Sequence, residues 1–134
     1  MPHTLEWLID KRVLHVQISG DVPVPELTEI GLAVREWTDS GTAPVFSVID
    51  LREVKQYPTR LTDLASAFST KPSAKLGWIV LISNSSILRY ITSVVVQLAR
   101  QHVSTFADYT SALEFLAKQD RTLDLQPVIE RFSS

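Results

Sequence analysis

Cysteine is absent from this sequence of 134 residues. Its absence excludes a disulfide scaffold, a zinc site built on thiolates and catalysis by a cysteine nucleophile. Glycine is scarce, and the four glycines form neither a phosphate-cradling loop nor a nucleophile elbow. The histidines, His3, His15 and His102, are widely separated and have no ligand-like spacing with acidic residues. We therefore expect no catalytic residues, no metal ion and no cofactor, and we predict that the protein is not an enzyme.

Neither sign of charge dominates the chain. There are 13 basic and 15 acidic residues, which gives a net charge of −2 and argues against a nucleic-acid partner. No apolar run approaches the ~20 residues of a membrane span, and the first residues lack the features of a signal peptide. We therefore expect a cytoplasmic protein without stable membrane insertion. Its 45% of hydrophobic residues suits the core of one domain.

Hydrophobic periodicity divides the chain into alternating strands and helices. Strands are predicted over residues 4–9, 13–19, 45–51, 76–82 and 103–107, and the first two are joined by a hairpin turn. Helices are predicted from Pro25, from Pro58-Thr59, over residues 87–101 and after the capping residue Asp108. Residues 87–101 contain strand-forming valines, but their length and apolar spacing favour a helix.

The resulting order, β-β-α-β-α-β-α-β-α, predicts an α/β fold. We expect a mostly parallel sheet with one antiparallel edge strand and with helices packed on it. This domain takes up residues 1–119. Residues 120–134 form a C-terminal extension, and they are weakly amphipathic with a short helix predicted near Pro127.

The order resembles the STAS domain, the fold of SpoIIAA-like anti-anti-sigma factors and of sulphate-transporter cytoplasmic domains. The resemblance covers about residues 4–119 and is carried by Ile18-Ser19-Gly20-Asp21, Val48-Ile49-Asp50-Leu51-Arg52-Glu53-Val54 and Ala112-Leu113-Glu114-Phe115-Leu116. In that family an Asp-Ser-Ser-Gly motif follows, and its first serine is phosphorylated by a partner kinase. This chain has Pro58-Thr59-Arg60-Leu61 at the matching positions, so it resembles a divergent member that lacks the motif.

The resemblance implies a non-catalytic protein-interaction module in cytoplasmic regulation. It would be similar to an anti-sigma-factor antagonist with a degenerate phospho-switch and would bind a protein partner. The implied interaction surface is formed by Asp50, Arg52, Pro58, Thr59 and Arg60. The alternative is a SpoIIAA-like carrier of a small apolar ligand or lipid.

Three features have a functional and a structural interpretation. Thr59 is a candidate phospho-acceptor or anion site, because a helix N-terminus favours negative charge, or it is only an N-cap. Asp50 ends the central strand, where parallel sheets place their ligands, or it serves as a turn or capping residue. The residues Ser83, Asn84, Ser85 and Ser86 form a candidate ligand or anion loop, or an ordinary turn and cap.

Some apolar side chains lie outside the helix faces that are predicted to pack on the sheet, and such side chains indicate self-association. The residues concerned are Tyr90 and Val96 in the third predicted helix and Phe132 in the C-terminal extension. Because a helix that is apolar on more than one face needs a second neighbour, we regard a homodimer as an open alternative to a monomer.

Overall fold

The computed structural model describes residues 3–57, 60, 62–63, 73–86, 90 and 102–133. The elements within these ranges are β1 (His3–Ile9), β2 (Val13–Asp21), α1 (Val24–Asp39), β3 (Val45–Gln56), β4 (Leu76–Ile82), β5 (Val103–Phe106), α2 (Tyr109–Gln119) and α3 (Gln126–Ser133). Most of the two helices predicted after residues 57 and 86 lies outside the described residues. None of the described helices has the length and apolar character that a bilayer crossing requires.

The five strands form one sheet in the order β1-β2-β3-β4-β5. β1 pairs with β2 in antiparallel fashion, and every later neighbour is parallel. The β1–β2 turn has Lys11 in the left-handed conformation with φ of 65°, a usual feature of a three-residue hairpin loop. The predicted fold class, a mostly parallel sheet with one antiparallel edge strand, is therefore confirmed.

β3 extends to Gln56, whereas hydrophobic periodicity predicts an end at Leu51. The pairing with β2 shifts between Gln17–Asp50 and Ser19–Glu53, so β3 carries an extra residue there. The two strands then remain paired as far as Asp21 and Gln56. Because all the added residues except Val54 are polar and exposed, they show no alternating pattern that would reveal a strand.

Apolar side chains cover the sheet on both sides. On one side, which we call the α1 face, the strands contribute Leu14, Val16, Ile18, Leu51 and Leu81, and α1 contributes Leu27 and Ile30. On the other side, the α2/α3 face, Val13, Val48, Val80 and Ile82 pack against Ala112, Leu113 and Leu116 of α2. Successive residues of a strand point to opposite sides, so neighbouring residues belong to different cores.

The start of α2 is fixed by its own sequence. Asp108 has extended backbone angles, and its Oδ1 accepts a hydrogen bond from the Ser111 backbone N–H at 2.8 Å. This is the N-cap geometry that satisfies one of the free amides of the first turn. Tyr109 is consequently the first helical residue and enters the helix with its ring buried on the sheet.

The C-terminal extension packs on the α2/α3 face. Arg12 donates from Nη2 to Asp120 Oδ2 at 2.6 Å and from Nη1 to Thr122 Oγ1 at 3.4 Å, which joins the extension to the β1–β2 turn. Leu123, Leu125 and Val128 are buried in the same core as α2. α3 therefore lies over the sheet, where it contacts Glu6, His15 and Tyr109.

Candidate functional site

Polar side chains interrupt the apolar α2/α3 face across three neighbouring strands. In the pairing register, Glu6 of β1 lies opposite His15 of β2, and Gln17 of β2 lies opposite Asp50 of β3. His15 is 6% exposed and Asp50 is 1% exposed. A buried polar group costs free energy unless it is hydrogen-bonded, so the partners of these two residues decide what the face can do.

Asp50 is held by three groups. The Tyr109 hydroxyl donates to Asp50 Oδ2 at 2.7 Å. Arg52 donates from Nε to Oδ1 and from Nη2 to Oδ2, both at 3.1 Å, and its backbone N–H donates to Oδ1 at 3.0 Å. The Arg52 guanidinium also lies 4.9 Å from the centroid of the Tyr109 ring. The Asp50 carboxylate is thus buried, and the partly exposed Arg52 guanidinium binds both of its oxygens.

His15 continues this set of contacts toward the edge of the sheet. Its Nε2 lies 2.6 Å from the Tyr109 hydroxyl oxygen, and its Nδ1 lies 3.2 Å from Glu6 Oε1. Arg131 of α3 donates from Nη2 to the same Glu6 oxygen at 3.1 Å. Six side chains therefore form one continuous set, which we call the polar chain: Arg52, Asp50, Tyr109, His15, Glu6 and Arg131.

Phe132 covers the middle of the polar chain. Its ring is stacked on Tyr109, with centroids 4.1 Å apart and planes 5° apart. It also meets the His15 ring edge-on at 5.6 Å. An aromatic ring that excludes water strengthens the hydrogen bonds beneath it, because the local dielectric constant falls. α3 is thereby packed directly against the buried polar groups.

Burial and hydrogen-bond partners shift the pKa values of Asp50, Tyr109 and Glu6 in the polar chain. Burial raises the pKa of Asp50, but hydrogen bonds from the Arg52 side chain and backbone and from Tyr109 outweigh burial and hold this pKa below its usual value. Burial and the Asp50 carboxylate raise the pKa of Tyr109 far above its ordinary range. The His15 hydrogen bond, aided by Arg131, lowers the pKa of Glu6. At neutral pH both carboxyls are therefore ionised and the phenol keeps its proton.

With this geometry established, the chain can be compared with known proteins. No protein-family model matches it, and no curated protein matches it either. Among solved structures it is similar to an uncharacterized protein of the DUF3478 family with a SpoIIAA-like fold from Shewanella loihica PV-4. The TM-score is 0.59 at 15% identity, over 85% of this chain and 91% of that one. The chain has a SpoIIAA-like fold. The resemblance to STAS domains is thus confirmed for the fold.

Within the SpoIIAA-like fold, the predicted interaction surface divides into separate parts. Asp50 and Arg52 are in contact, but only Arg52 is accessible, with 39% of its side chain exposed. Asp50 is buried, so it belongs to the interior and can affect a docking surface only by orienting Arg52. Arg60 is exposed, whereas Pro58 and Thr59 lie outside the described residues. The phospho-acceptor and the N-cap interpretations of Thr59 therefore both stand as predictions.

The loop of Ser83, Asn84, Ser85 and Ser86 follows β4 and turns on its own hydrogen bonds. Ser83 is fully buried, and its Oγ accepts from the Ser85 backbone N–H at 3.0 Å. The Ser83 backbone N–H donates to the Phe106 carbonyl at 3.0 Å, so the loop is also fixed to β5. Asn84 and Ser86 are exposed. These contacts are those of a serine turn, and the anion-binding interpretation remains a prediction.

The three residues predicted for self-association have different surroundings. Tyr90 is 71% exposed, whereas Phe132 is covered within the chain by Tyr109 and His15. Val96 lies outside the described residues. The homodimer therefore stays a prediction, for which Tyr90 is an exposed candidate residue.

A groove lined by residues of polar type lies at the ends of β2 and β3. It has a volume of about 490 Å³ and is lined by His3, Thr4, Gln17, Ser19, Gly20, Glu53 and Lys55. The lining presents both polar groups and the aliphatic parts of side chains, so it fits either a polar or an apolar ligand. In the part of the chain that the structure describes, no three His, Cys, Asp or Glu side chains are grouped as a metal site.

Sequence reasoning missed four members of the polar chain, namely Glu6, His15, Tyr109 and Arg131. One signal was present in the sequence. The run from Val45 to Ile49 is apolar at almost every position, which is typical of a strand buried on both faces. If β3 is covered on both sides, the neighbouring strand is covered too, and the polar His15 among its alternating residues needs buried partners.

Proposed function

We propose that this chain is a non-catalytic, STAS-like protein-interaction module that acts in cytoplasmic regulation. The observation that carries the proposal is the fixed orientation of Arg52 at the point where β3 leaves the cover of α2 and α3. The SpoIIAA-like fold supports a module of this kind. The docking surface comprises Arg52 with the exposed residues that follow it on β3, Glu53 and Lys55.

Arg52 suits recognition because its position is fixed while part of it stays accessible. Two of its five N–H groups donate to the buried Asp50, which fixes the plane of the guanidinium. Its accessible edge is ready to donate to a carboxylate or carbonyl group of a partner, and arginine is a frequent anchor in protein interfaces. A side chain that is already ordered loses little conformational entropy on binding.

The proposal includes a degenerate phospho-switch at Thr59. A phosphate there would add about −2 charge at neutral pH, three residues after Gln56, the last residue of β3. Arg52 and Arg60 supply cationic groups in the same stretch of sequence. Incubation with ATP and a cell extract, followed by mass spectrometry, should place a phosphate on Thr59. If no phosphate is found and Thr59→Glu binds the partner as the unmodified chain does, the switch is absent.

Site-specific photo-crosslinking tests the docking surface. A photoreactive phenylalanine derivative at Glu53, beside Arg52, should capture one partner in cells, and Arg52→Ala should abolish that product. The matched control carries the same derivative at Glu36, an exposed residue of α1. Arg52→Lys keeps the charge but not the bidentate geometry, so it should retain only part of the yield. Equal products from both positions, or no effect of Arg52→Ala, would remove this surface from consideration.

The purified protein allows a test of the alternative function, a carrier of a small apolar ligand or lipid. Native mass spectrometry of the intact protein should give a mass without a bound lipid if the chain is an interaction module. A co-purifying apolar molecule in that spectrum would favour the carrier instead.

A further inference from the structure

The hydrogen-bond directions in the polar chain fix the proton count of His15. Tyr109 has one hydroxyl proton, which it donates to Asp50 at 2.7 Å, so its oxygen can only accept from His15 Nε2. Glu6 is a carboxylate, so it too can only accept, and His15 Nδ1 must donate to it. An imidazole that donates from both nitrogens is the protonated, cationic form.

We propose that His15 is a proton-binding site whose occupancy controls how firmly α3 is held on the sheet. With the proton bound, the ring bridges Tyr109 and Glu6. Without it, either tautomer loses one of these partners. One tautomer turns a nitrogen lone pair toward the Glu6 carboxylate, and the other requires Tyr109 to withdraw its proton from Asp50.

The charged and titratable groups around His15 come from each described element that packs against it. β1 contributes Glu6, α2 contributes Tyr109, and α3 contributes Arg131 beside the ring of Phe132. Behind Tyr109, β3 contributes Asp50 and Arg52. The two carboxylates favour the imidazolium, whereas the two guanidinium groups oppose it. The two hydrogen bonds from the His15 ring nitrogens therefore decide whether the proton on each nitrogen has a partner.

Both ends of the polar chain respond to this proton. Toward α3, the loss of the His15–Glu6 bond leaves Glu6 attached to Arg131 without its anchor on β2. Phe132 at the same time rests on a ring that has lost a partner. Toward β3, a change at Tyr109 reaches Asp50 and Arg52. The second effect matters for docking only if the proposed function is correct, whereas the first does not depend on it.

Hydrogen exchange of the full chain across about pH 5 to pH 8 tests the proposal. After correction for the intrinsic exchange rate, protection of the α3 amides should fall roughly tenfold as pH rises, the effect of one lost charged hydrogen bond. NMR of the three histidine rings gives the titration of His15 directly. The midpoint of the His15 titration should coincide with the pH at which half of the change in α3 protection has occurred. If the protection of the α3 amides does not change with pH, the proposal is overturned.

Two variants separate the proton site from a general effect of pH. Glu6→Gln keeps the shape and still accepts from Arg131, but its amide can also donate to a neutral His15. Its α3 protection should therefore stay high and constant between about pH 5 and pH 8. His102→Gln, at an exposed histidine beside Trp78, should keep the dependence of the unmodified protein. A pH dependence that persists in Glu6→Gln, or disappears in His102→Gln, overturns the assignment. No partner is present, so failure of the proposed docking surface would not affect the result.

Discussion

The two faces of the sheet are stabilised in different ways. Among the described residues, the α1 face is closed by apolar side chains, and the buried hydroxyl of Ser47 in β3 has no hydrogen-bond partner there. The α2/α3 face has apolar packing of the same kind but also buries Asp50, His15 and Tyr109, and each of them is partnered. Apolar burial is non-directional and insensitive to pH. The polar chain makes the second face dependent on proton and charge.

The largest expected effect tests the apolar character of the α1 face. Leu14→Ala removes a fully buried side chain and should lower the free energy of unfolding by about 3 kcal/mol. Urea unfolding should give the same loss at neutral pH and at about pH 5, because no ionisable group is affected. The control is Leu32→Ala, at a leucine of α1 that is 52% exposed, which should change stability by less than about 0.5 kcal/mol. A strongly pH-dependent loss for Leu14→Ala would remove the distinction between the faces.

Asp50→Asn tests the opposite property on the α2/α3 face. It removes a buried charge that Arg52 and Tyr109 stabilise, and it should cost about 2 kcal/mol at neutral pH. The pKa of Asp50 is lowered in the folded state, so its contribution is complete above the unfolded value of about 3.9 and is lost as pH falls through the folded value. The difference in stability between the two proteins should therefore shrink below about pH 4.

Asp21→Asn is the matched control for this measurement, because Asp21 is exposed at the end of β2. Urea unfolding at neutral and acid pH should show little difference between that variant and the unmodified chain. A constant gap between Asp50→Asn and the unmodified chain at all pH values would mean that the carboxylate contributes through shape and not through charge.

Tyr109→Phe separates the hydrogen bonds of the polar chain from its packing. The stack with Phe132 is preserved, while the hydroxyl that joins His15 to Asp50 is removed. We expect a loss of about 1.5 kcal/mol in thermal or urea unfolding. Tyr90→Phe, at an exposed tyrosine, should have no measurable effect. If Tyr109→Phe and Tyr90→Phe change the free energy of unfolding equally, the hydroxyl of Tyr109 does not stabilise the protein through the polar chain.

The smallest expected effect has the opposite sign. Ser47→Ala removes a buried hydroxyl for which no described residue is a partner, so the variant should be more stable by about 1 kcal/mol. Ser83→Ala removes an equally buried hydroxyl that accepts from Ser85, and it should be less stable by about 1 kcal/mol. The pair compares a buried serine without a described partner in β3 with a buried, partnered serine in the loop after β4. If both variants are destabilised, Ser47 has a partner of its own.

The sequence was sufficient for the fold class and for the described strands, because these follow from local hydrophobic patterns. The alternating residues of β2 and the continuous apolar run of β4 mark their strands, and Asp108 marks the start of α2. The end of β3 was predicted too early, since its last residues are held by pairing with β2 and not by burial. Asp50 therefore lies within a strand and not at its end, and it is buried beneath Tyr109 of α2.

The polar chain was beyond sequence reasoning for a different reason. Glu6 and Arg131 are 125 residues apart, and His15 and Tyr109 are 94 apart. No spacing rule connects residues at such separations, because the fold alone brings them together. The sequence did contain Asp50 and Arg52 two positions apart. This spacing predicts a contact only if both residues lie in the same strand, and the sequence pattern ended that strand at Leu51.

The attachment of the C-terminal extension through Arg12 has a consequence for how this protein is made. The described core of the α1 face is drawn from residues 5–103, whereas the α2/α3 face also needs Leu123, Leu125 and Val128 to complete its core. Closing contacts between such distant positions is slow compared with local pairing. During synthesis the α2/α3 face therefore stays incompletely covered until residues 120–133 are available, and part of its apolar surface is exposed in that interval.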